Sequence, residues 1–232
     1  MSFIDQEDIL ALAEKLMIEM VAALNQRAGA EKYKITQVPF PHLSFDAALK
    51  KYKSDRPDIR KNKDDKKELG FCWVVDFPMF EYKEGDKRWG ATHHPFTAIQ
   101  DDDLNKLQNE KNLGKIKAKQ YDLVLNGNEI AGGSIRTHQP EILHRVFELL
   151  GHTSAEIQNK FGHLLEAFKF GVPPHGGIAF GLDRLIMLLA GEESIREVMA
   201  FPKTADNRDP LMTSPSEVSE EQLKELHLNL WN

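Results

Sequence analysis

The chain opens on a helical stripe. Ile9, Leu12, Ala13, Leu16, Met20 and Leu24 recur at three- and four-residue spacing, which predicts an amphipathic helix through the first 28 residues. Asp5 is placed to cap its start and Gly29 to close its end. A shorter helix is predicted after Ser44, carrying Phe45, Ala48, Leu49 and Tyr52. The period then changes. Phe71–Val75 is a continuous apolar run, the mark of a buried strand. Glu84-Gly-Asp86 reads as a hairpin turn, with Trp89–Phe96 returning from it, and Asp101–Ala118 as a polar excursion. Asp122–Leu125 and Asn128–Arg136 flank Asn126-Gly127, the strongest short hairpin signal.

Helical spacing returns after Pro140, which suits a first helical position, and Gly151 ends that helix. Thr153 with Glu156 forms a capping box for a helix reaching Phe170, stopped by Gly171. A glycine-rich strand follows Pro173 and runs into a buried helix between Gly181 and Gly191, and Ser219 with Gln222 caps a last short helix. Strands in the middle and helices segregated from them predict an α+β fold. No internal repeat is visible.

Charge interrupts this pattern once. Twelve of the sixteen residues from Lys53 to Glu68 are charged, so a solvated linker at 53–69 is predicted. A basic loop for nucleic acid fits it less well, because five acids dilute seven bases. The whole chain carries a net charge of −6, so a polyanionic partner needs a local basic face. No apolar run approaches the ~20 residues of a membrane span, and no basic-then-apolar leader opens the chain. The single cysteine, Cys72, reads as a buried small hydrophobe. These features predict a cytoplasmic protein without a membrane partner.

Two patterns carry candidate chemistry. In the first, a two-residue turn at Asn126-Gly127 pairs Val124 with Glu129 and Asp122 with Ala131, so Asp122 and Glu129 share a face. Paired carboxylates of this kind suit Mg²⁺ bound together with substrate phosphates, or are two solvated acids on an exposed sheet. Arg136 is seven residues beyond Glu129, and odd spacing puts it on the opposite face. The paired glycines Gly132-Gly133 suggest a bulge, whose one extra residue would bring Arg136 back to the acid face, where a structural ion pair with the acids is one reading. His93 and His94, adjacent on a strand, point to opposite sides and make a poor metal pair. The second pattern is Ala179-Phe-Gly-Leu-Asp-Arg-Leu-Ile186, where glycines at 176, 177 and 181 and a helix start offer a phosphate site beside Arg184. A strand–helix corner whose arginine meets a structural carboxylate fits the same residues.

Gly177-Ile-Ala-Phe-Gly-Leu-Asp-Arg184 resembles the third signature motif of class II aminoacyl-tRNA synthetases. The stretches Trp73–Glu81, His93–Phe96, Tyr121–Glu129, Gly132–Arg136 and Ala200–Lys203 are similar to the C-terminal part of bacterial-type aspartyl-tRNA synthetases, in family order. The resemblance implies an antiparallel sheet flanked by helices, only partly present, and ATP-dependent ligation of L-aspartate to tRNA. It implies Mg²⁺ at Asp122 and Glu129, ATP at Glu129, Gly181, Leu182, Asp183 and Arg184, and aspartate at Arg136, His93, His94 and Ser134. Arg184 and Glu129 take the catalytic roles. It also implies a homodimer. An asparagine-activating relative or a non-catalytic module on the same scaffold is the alternative. The family's first two motifs, its anticodon-binding barrel and its bacterial inserted domain have no counterpart in this sequence. The expectation is therefore a fragment, inactive on its own.

Overall fold

A computed structural model describes residues 1–108 and 110–230, residues 110 and 111 by their backbone only. The chain divides into two compact units, Met1–Leu185 and Ile186–Asn232.

The first unit is built on a five-stranded sheet. Its strands are β2 (His42–Ser44), β4 (Phe71–Val75), β7 (Gln120–Leu125), β8 (Asn128–Ile135) and β9 (Gly176–Phe180), in that spatial order. The sheet is mixed: β2 and β4 are parallel, while β4–β7, β7–β8 and β8–β9 are antiparallel. The expected antiparallel sheet is present, with one parallel pair added at its β2 edge. Two small ribbons accompany it, β1 (Lys34–Ile35) with β3 (Glu68–Leu69), and β5 (Phe80–Lys83) with β6 (Arg88–Ala91).

One sheet face carries Cys72, Val74 and Val124, packed under Ala48, Phe45 and Phe77. Phe45 and Ala48 belong to α2 (Phe45–Tyr52), which follows Ser44 as expected and is capped by it. The opposite face presents Phe71, Trp73, Tyr121 and Leu123, all fully buried. Burial pushes the Cys72 thiol up to about 12, in keeping with an inert core position.

Helix α1 spans Gln6–Ala28, with a capping box at Asp5 and left-handed Gly29 at its end. Its buried face is Ile9, Leu10, Ala13, Met17 and Val21, and Leu12 and Leu16 are exposed. The stripe is rotated from the expected one, because residues 9 to 24 admit two apolar faces and tertiary contact selects between them. Helices α3 (Pro140–Leu149) and α4 (Ser154–Phe168) pack through Leu143, Phe147, Ile157 and Leu165.

Three further expectations are corrected. The returning strand ends at Ala91, so His93 and His94 lie in a bend beyond it. The excursion at 101–118 holds two 3₁₀ helices, and its Leu107, Leu113 and Ile116 are core residues beside Phe80 and Val146. The charged segment is not wholly solvated. Arg60 forms a two-point pair with Asp58 at 3.0 and 2.8 Å, with side chains only 9% and 15% exposed.

Helix α5 (Leu182–Ala190) begins in the first unit and ends in the second, which also holds α6 (Glu220–Glu225), capped by Ser219 and Gln222 as expected. Helix α5 is not buried throughout, since Leu182 and Ile186 are exposed. Among the described residues no helix is long and apolar enough to cross a membrane.

Candidate functional site

The Asn126-Gly127 turn forms as its sequence demands, with both residues at positive φ. Leu125 pairs with Asn128 and Val124 with Glu129. The register then slips. Leu123 faces Ala131 and Asp122 faces Gly132, which leaves Ile130 as the extra residue of a β-bulge. The bulge was expected two residues later, at Gly132-Gly133, and Ala131 was expected across from Asp122. The consequence for parity is the one anticipated. After the bulge, Gly132 and Ser134 alternate onto the face that carries Gln120, Asp122 and Glu129, and Arg136 follows just beyond the end of β8.

The two acids converge over Gly132. A Cβ at that position would stand 2.9 Å from Asp122 Oδ1 and 3.2 Å from Glu129 Oε1, so both oxygens border one space that only glycine leaves open. Gln120 Nε2 donates to Asp122 Oδ1 at 3.1 Å. Burial, then the neighbouring Glu129 charge, raises the Asp122 carboxyl to about 7. Asp55 and Arg56 also act on it, with opposite signs, so the segment before Pro57 borders the site.

The glycines of β9 divide by face. Gly177, across from Ser134, has open space where a Cβ would go. Gly176, across from Ile135, has none, because Ile135 Cδ1 and Ser134 O lie 2.7 and 2.8 Å away. Gly177 and Ala179 therefore continue the Gly132 floor as an open platform, and Gly176 lets strands close on the other side. The Ser134 hydroxyl on the platform face is fully buried with no partner among the described residues. The β9–α5 junction grips the bulge itself. Gly181 N–H donates to Ile130 O at 2.8 Å and Arg184 Nη1 to Glu129 O at 2.8 Å. The same Nη1 is 3.8 Å from the Glu129 carboxylate. Leu182 and Asp183 are exposed at this corner.

Arg136 meets a histidine rather than the acids. Its Nη1 lies 2.6 Å from His94 Nε2. His93 packs edge-on against Phe77, with centroids 5.0 Å apart. Surrounding atoms lower the His93 pKa, against the pull of Glu129, Asp55 and Glu81, although the residue keeps solvent contact. Sequence reasoning separated the two histidines by strand alternation. Outside a strand they both reach this side, one toward Glu129 and one onto Arg136.

Among the described residues no three His, Cys, Asp or Glu side chains gather as a metal-binding group. A donor set of two carboxylates suits a cation that keeps water and phosphate ligands, which is the habit of Mg²⁺. A separate cavity of about 530 Å³, bordered by Ile4, Gln6, Ala98, Ile142 and Pro174, touches Arg136 but none of Asp122, Glu129 or Arg184.

The model of the class II tRNA synthetases (D, K and N) matches residues 1–205. The chain is 48% identical over 212 residues to the aspartate–tRNA(Asp/Asn) ligase of Heliobacterium modesticaldum, covering 91% of this chain and 35% of that protein. It is 47% identical over 226 residues to the ligase of the same name from Thermoanaerobacter sp., covering 94% and 36%. The chain thus spans about a third of the length of these curated relatives. In fold it resembles the aspartyl-tRNA synthetase of Entamoeba histolytica, with a TM-score of 0.64, 22% identity, and 90% of this chain and 43% of that one covered. The asparaginyl-tRNA synthetase of the same organism, in complex with asparaginyl-adenylate, gives 0.61 at 21% identity, over 90% and 47%.

Proposed function

The chain belongs to the class II tRNA synthetases (D, K and N), and from that premise we propose that it carries the amino-acid and nucleotide platform of an aspartate–tRNA ligase. One observation supports this reading: the Ile130 bulge gathers Asp122, Glu129 and Ser134 on a single sheet face, beside an open floor of Gly132, Gly177 and Ala179, and Arg136 follows two residues after Ser134. Such a face offers a pair of acids able to bind a cation and, farther along the chain, an arginine able to bind an anion.

The proposed chemistry has two steps. The α-carboxylate of L-aspartate attacks the α-phosphorus of ATP, and pyrophosphate leaves as aspartyl-adenylate forms. A ribose hydroxyl at the tRNA 3′ end then takes the aspartyl group and AMP leaves. Neither step needs a protein nucleophile, so placement and charge neutralisation do the catalysis. Arg136 holds the substrate's side-chain carboxylate through two parallel N–H donors. The Ser134 hydroxyl, His93 and His94 border that carboxylate. Arg184 leaves Glu129 to meet the outer phosphates, with Gly181, Leu182 and Asp183 along the nucleotide. Asp122 and Glu129 hold Mg²⁺, which supplies positive charge to the phosphates when bound. The acceptor includes tRNA for aspartate, and the names of the relatives pair it with tRNA for asparagine as well. The reading extends to a cytoplasmic homodimer.

Binding measurements test this on the chain as it is. L-aspartate is expected to bind by calorimetry more tightly than L-asparagine, and Mg²⁺ is expected to strengthen ATP binding. Equal affinity for the acid and the amide removes the assignment of Arg136. Aspartate-dependent pyrophosphate exchange with ATP then reads the first chemical step, which this chain alone is expected to perform poorly.

A further inference from the structure

We propose that Gln120 is a positioning residue for Asp122: its carboxamide N–H holds Asp122 Oδ1 beside the Gly132 opening, so that the carboxylate meets a divalent cation in one fixed orientation. The inference rests on the reading of the acid pair as a Mg²⁺ site. It names the group that makes the pair selective for a small cation.

Strand geometry brings the two side chains together. Gln120 and Asp122 alternate with Tyr121 on β7 and so share a face. Gln120 stands across from Ser134, and Asp122 across from Gly132. Both are withdrawn from water, at 5% and 6% exposure. Gln120 Nε2 lies 3.1 Å from Asp122 Oδ1, and among the described residues no other group donates to that carboxylate. An ionised carboxylate only accepts, so the amide must present its NH₂ end and not its carbonyl.

The oxygen that Gln120 reaches is the one at the opening. Oδ1 lies 2.9 Å from the point where a Cβ of residue 132 would stand, and Glu129 Oε1 lies 3.2 Å from the same point. A carboxylate oxygen has more than one lone-pair direction. One direction of Oδ1 is taken by the amide, which leaves another for an ion held jointly with Glu129.

The two acids differ in freedom. Glu129 is 37% exposed and its carboxylate is 3.8 Å from Arg184 Nη1, so it can turn. Asp122 sits on a strand flanked by β4 and β8, with its only donor buried beside it. One ligand is thus set and the other adapts. Mg²⁺ demands near-ideal octahedral geometry at short range, whereas Ca²⁺ accepts irregular and longer coordination. A fixed Asp122 therefore matters more to Mg²⁺, and hydrogen-bond partners of metal ligands act through this kind of orientation.

The test uses the whole chain and metal ions alone. The paramagnetic signal of free Mn²⁺ reports occupancy, and Mg²⁺ and Ca²⁺ are each titrated in as competitors. Gln120→Met keeps the volume and removes the donor. It is expected to weaken Mg²⁺ binding roughly tenfold or more, and Ca²⁺ binding much less. Equal losses for the two ions reveal a general effect of charge or folding and overturn the positioning role, as does an unchanged Mg²⁺ affinity. A gain shows that the amide competes with the ion for Oδ1 and overturns it too. Should Gln120→Met not fold, ¹⁵N spectra of the unsubstituted chain carry the test. Mg²⁺ is then expected to move the Gln120 side-chain amide signals, and signals that stay in place overturn the inference. If the unsubstituted chain takes up no Mn²⁺, the reading of the acid pair as a metal site falls together with this inference. If it takes up the ion and Gln120→Met behaves identically, the inference falls alone.

Discussion

Gly132 stands directly across from Asp122, and the side chain it lacks is the space that Asp122 and Glu129 share. Its neighbour Gly133 is needed for a different reason. A Cβ there would stand 2.0 Å from Gly177 O and 2.7 Å from the Tyr121 ring. The first obstacle is two carboxylate ends that can turn, and the second is strand backbone. Gly132→Ala is expected to leave the melting temperature within a few degrees while weakening Mg²⁺-dependent ATP binding at least tenfold. Gly133→Ala is expected to destabilise the first unit by about 1–3 kcal/mol or more through overpacking. Calorimetric melting with ATP titration checks both, and reversed outcomes place the working surface on the wrong face of the sheet.

The raised Asp122 carboxyl gives the site a pH signature. Its folded pKa of about 7 stands above the ordinary value of 3.8. Between those values the folded chain keeps a proton that the unfolded chain has lost, so this group's contribution is full below about pH 4 and is lost as pH rises through about 7. Asp122→Asn is expected to stabilise the metal-free chain at pH 8 and to change little at pH 4. Mg²⁺ needs the carboxylate, so its affinity is expected to rise with pH until about 7 and then level off. Melting curves across this range, with and without Mg²⁺, decide; a pH-independent difference between the variants contradicts the buried, acid-facing placement.

Local signals were legible and long-range choices were not. Asp5, Thr153 and Ser219 all cap helices as read, because a cap is decided within four residues. The Asn126-Gly127 hairpin closed where it should, since two positive-φ residues determine the turn. Spacing alone put Arg136 on the far face, and the need for one extra residue before it came from the resemblance. Its location could not be read, because parity counts residues without saying which is extra, and buried Ile130 carries no bulge signal. The same limit explains α1. Leu12 and Leu16 match helical period as well as Leu10 and Met17 do, and only packing separates them. Composition was right about 61–67, which are exposed, and missed the pair of Asp58 and Arg60 withdrawn from solvent before it.

That pair, Asp58 with Arg60, is wedged against the hairpin. The space a Cβ would need at Gly70 is taken by Arg60 Cγ at 2.9 Å, and Asp58 Cβ lies 3.6 Å from the matching point at Gly127. Burial alone would raise the Asp58 carboxyl, but its hydrogen bonds and charge contact with Arg60 prevail and lower it. Stability from this pair is therefore present above the ordinary carboxylate pKa and lost as pH falls through the depressed one. Asp58→Ala takes the carboxylate from Arg60 Nε and Nη2 while Nη1 keeps Asp65 O, and is expected to cost about 1–3 kcal/mol. Chemical denaturation at pH 7 measures it. A loss under 1 kcal/mol would mean that water reaches Arg60 freely and that the segment is the solvated linker its composition suggested.

The two arginines of the site are expected to separate by substrate. Arg136 stands beside His94 at the end of β8, and Arg184 is tethered to Glu129 at the start of α5. The proposed partner of Arg136 is the aspartate side chain, one carboxylate in a half-buried place, so Arg136→Leu leaves that charge uncompensated. A loss of about 3–5 kcal/mol in L-aspartate binding is expected, with ATP affinity nearly kept. Arg184 is about half exposed, and its proposed partner is a phosphate also met by Mg²⁺. Arg184→Leu is thus expected to weaken ATP binding more modestly, by roughly tenfold, and to leave the preference for aspartate over asparagine intact. Titration of each ligand against each variant forms a two-by-two comparison. If Arg136→Leu altered ATP binding alone, or Arg184→Leu altered only the choice between acid and amide, the two guanidiniums would have to exchange roles. The run from the Ile130 bulge to Arg136 would then serve the nucleotide rather than the amino acid.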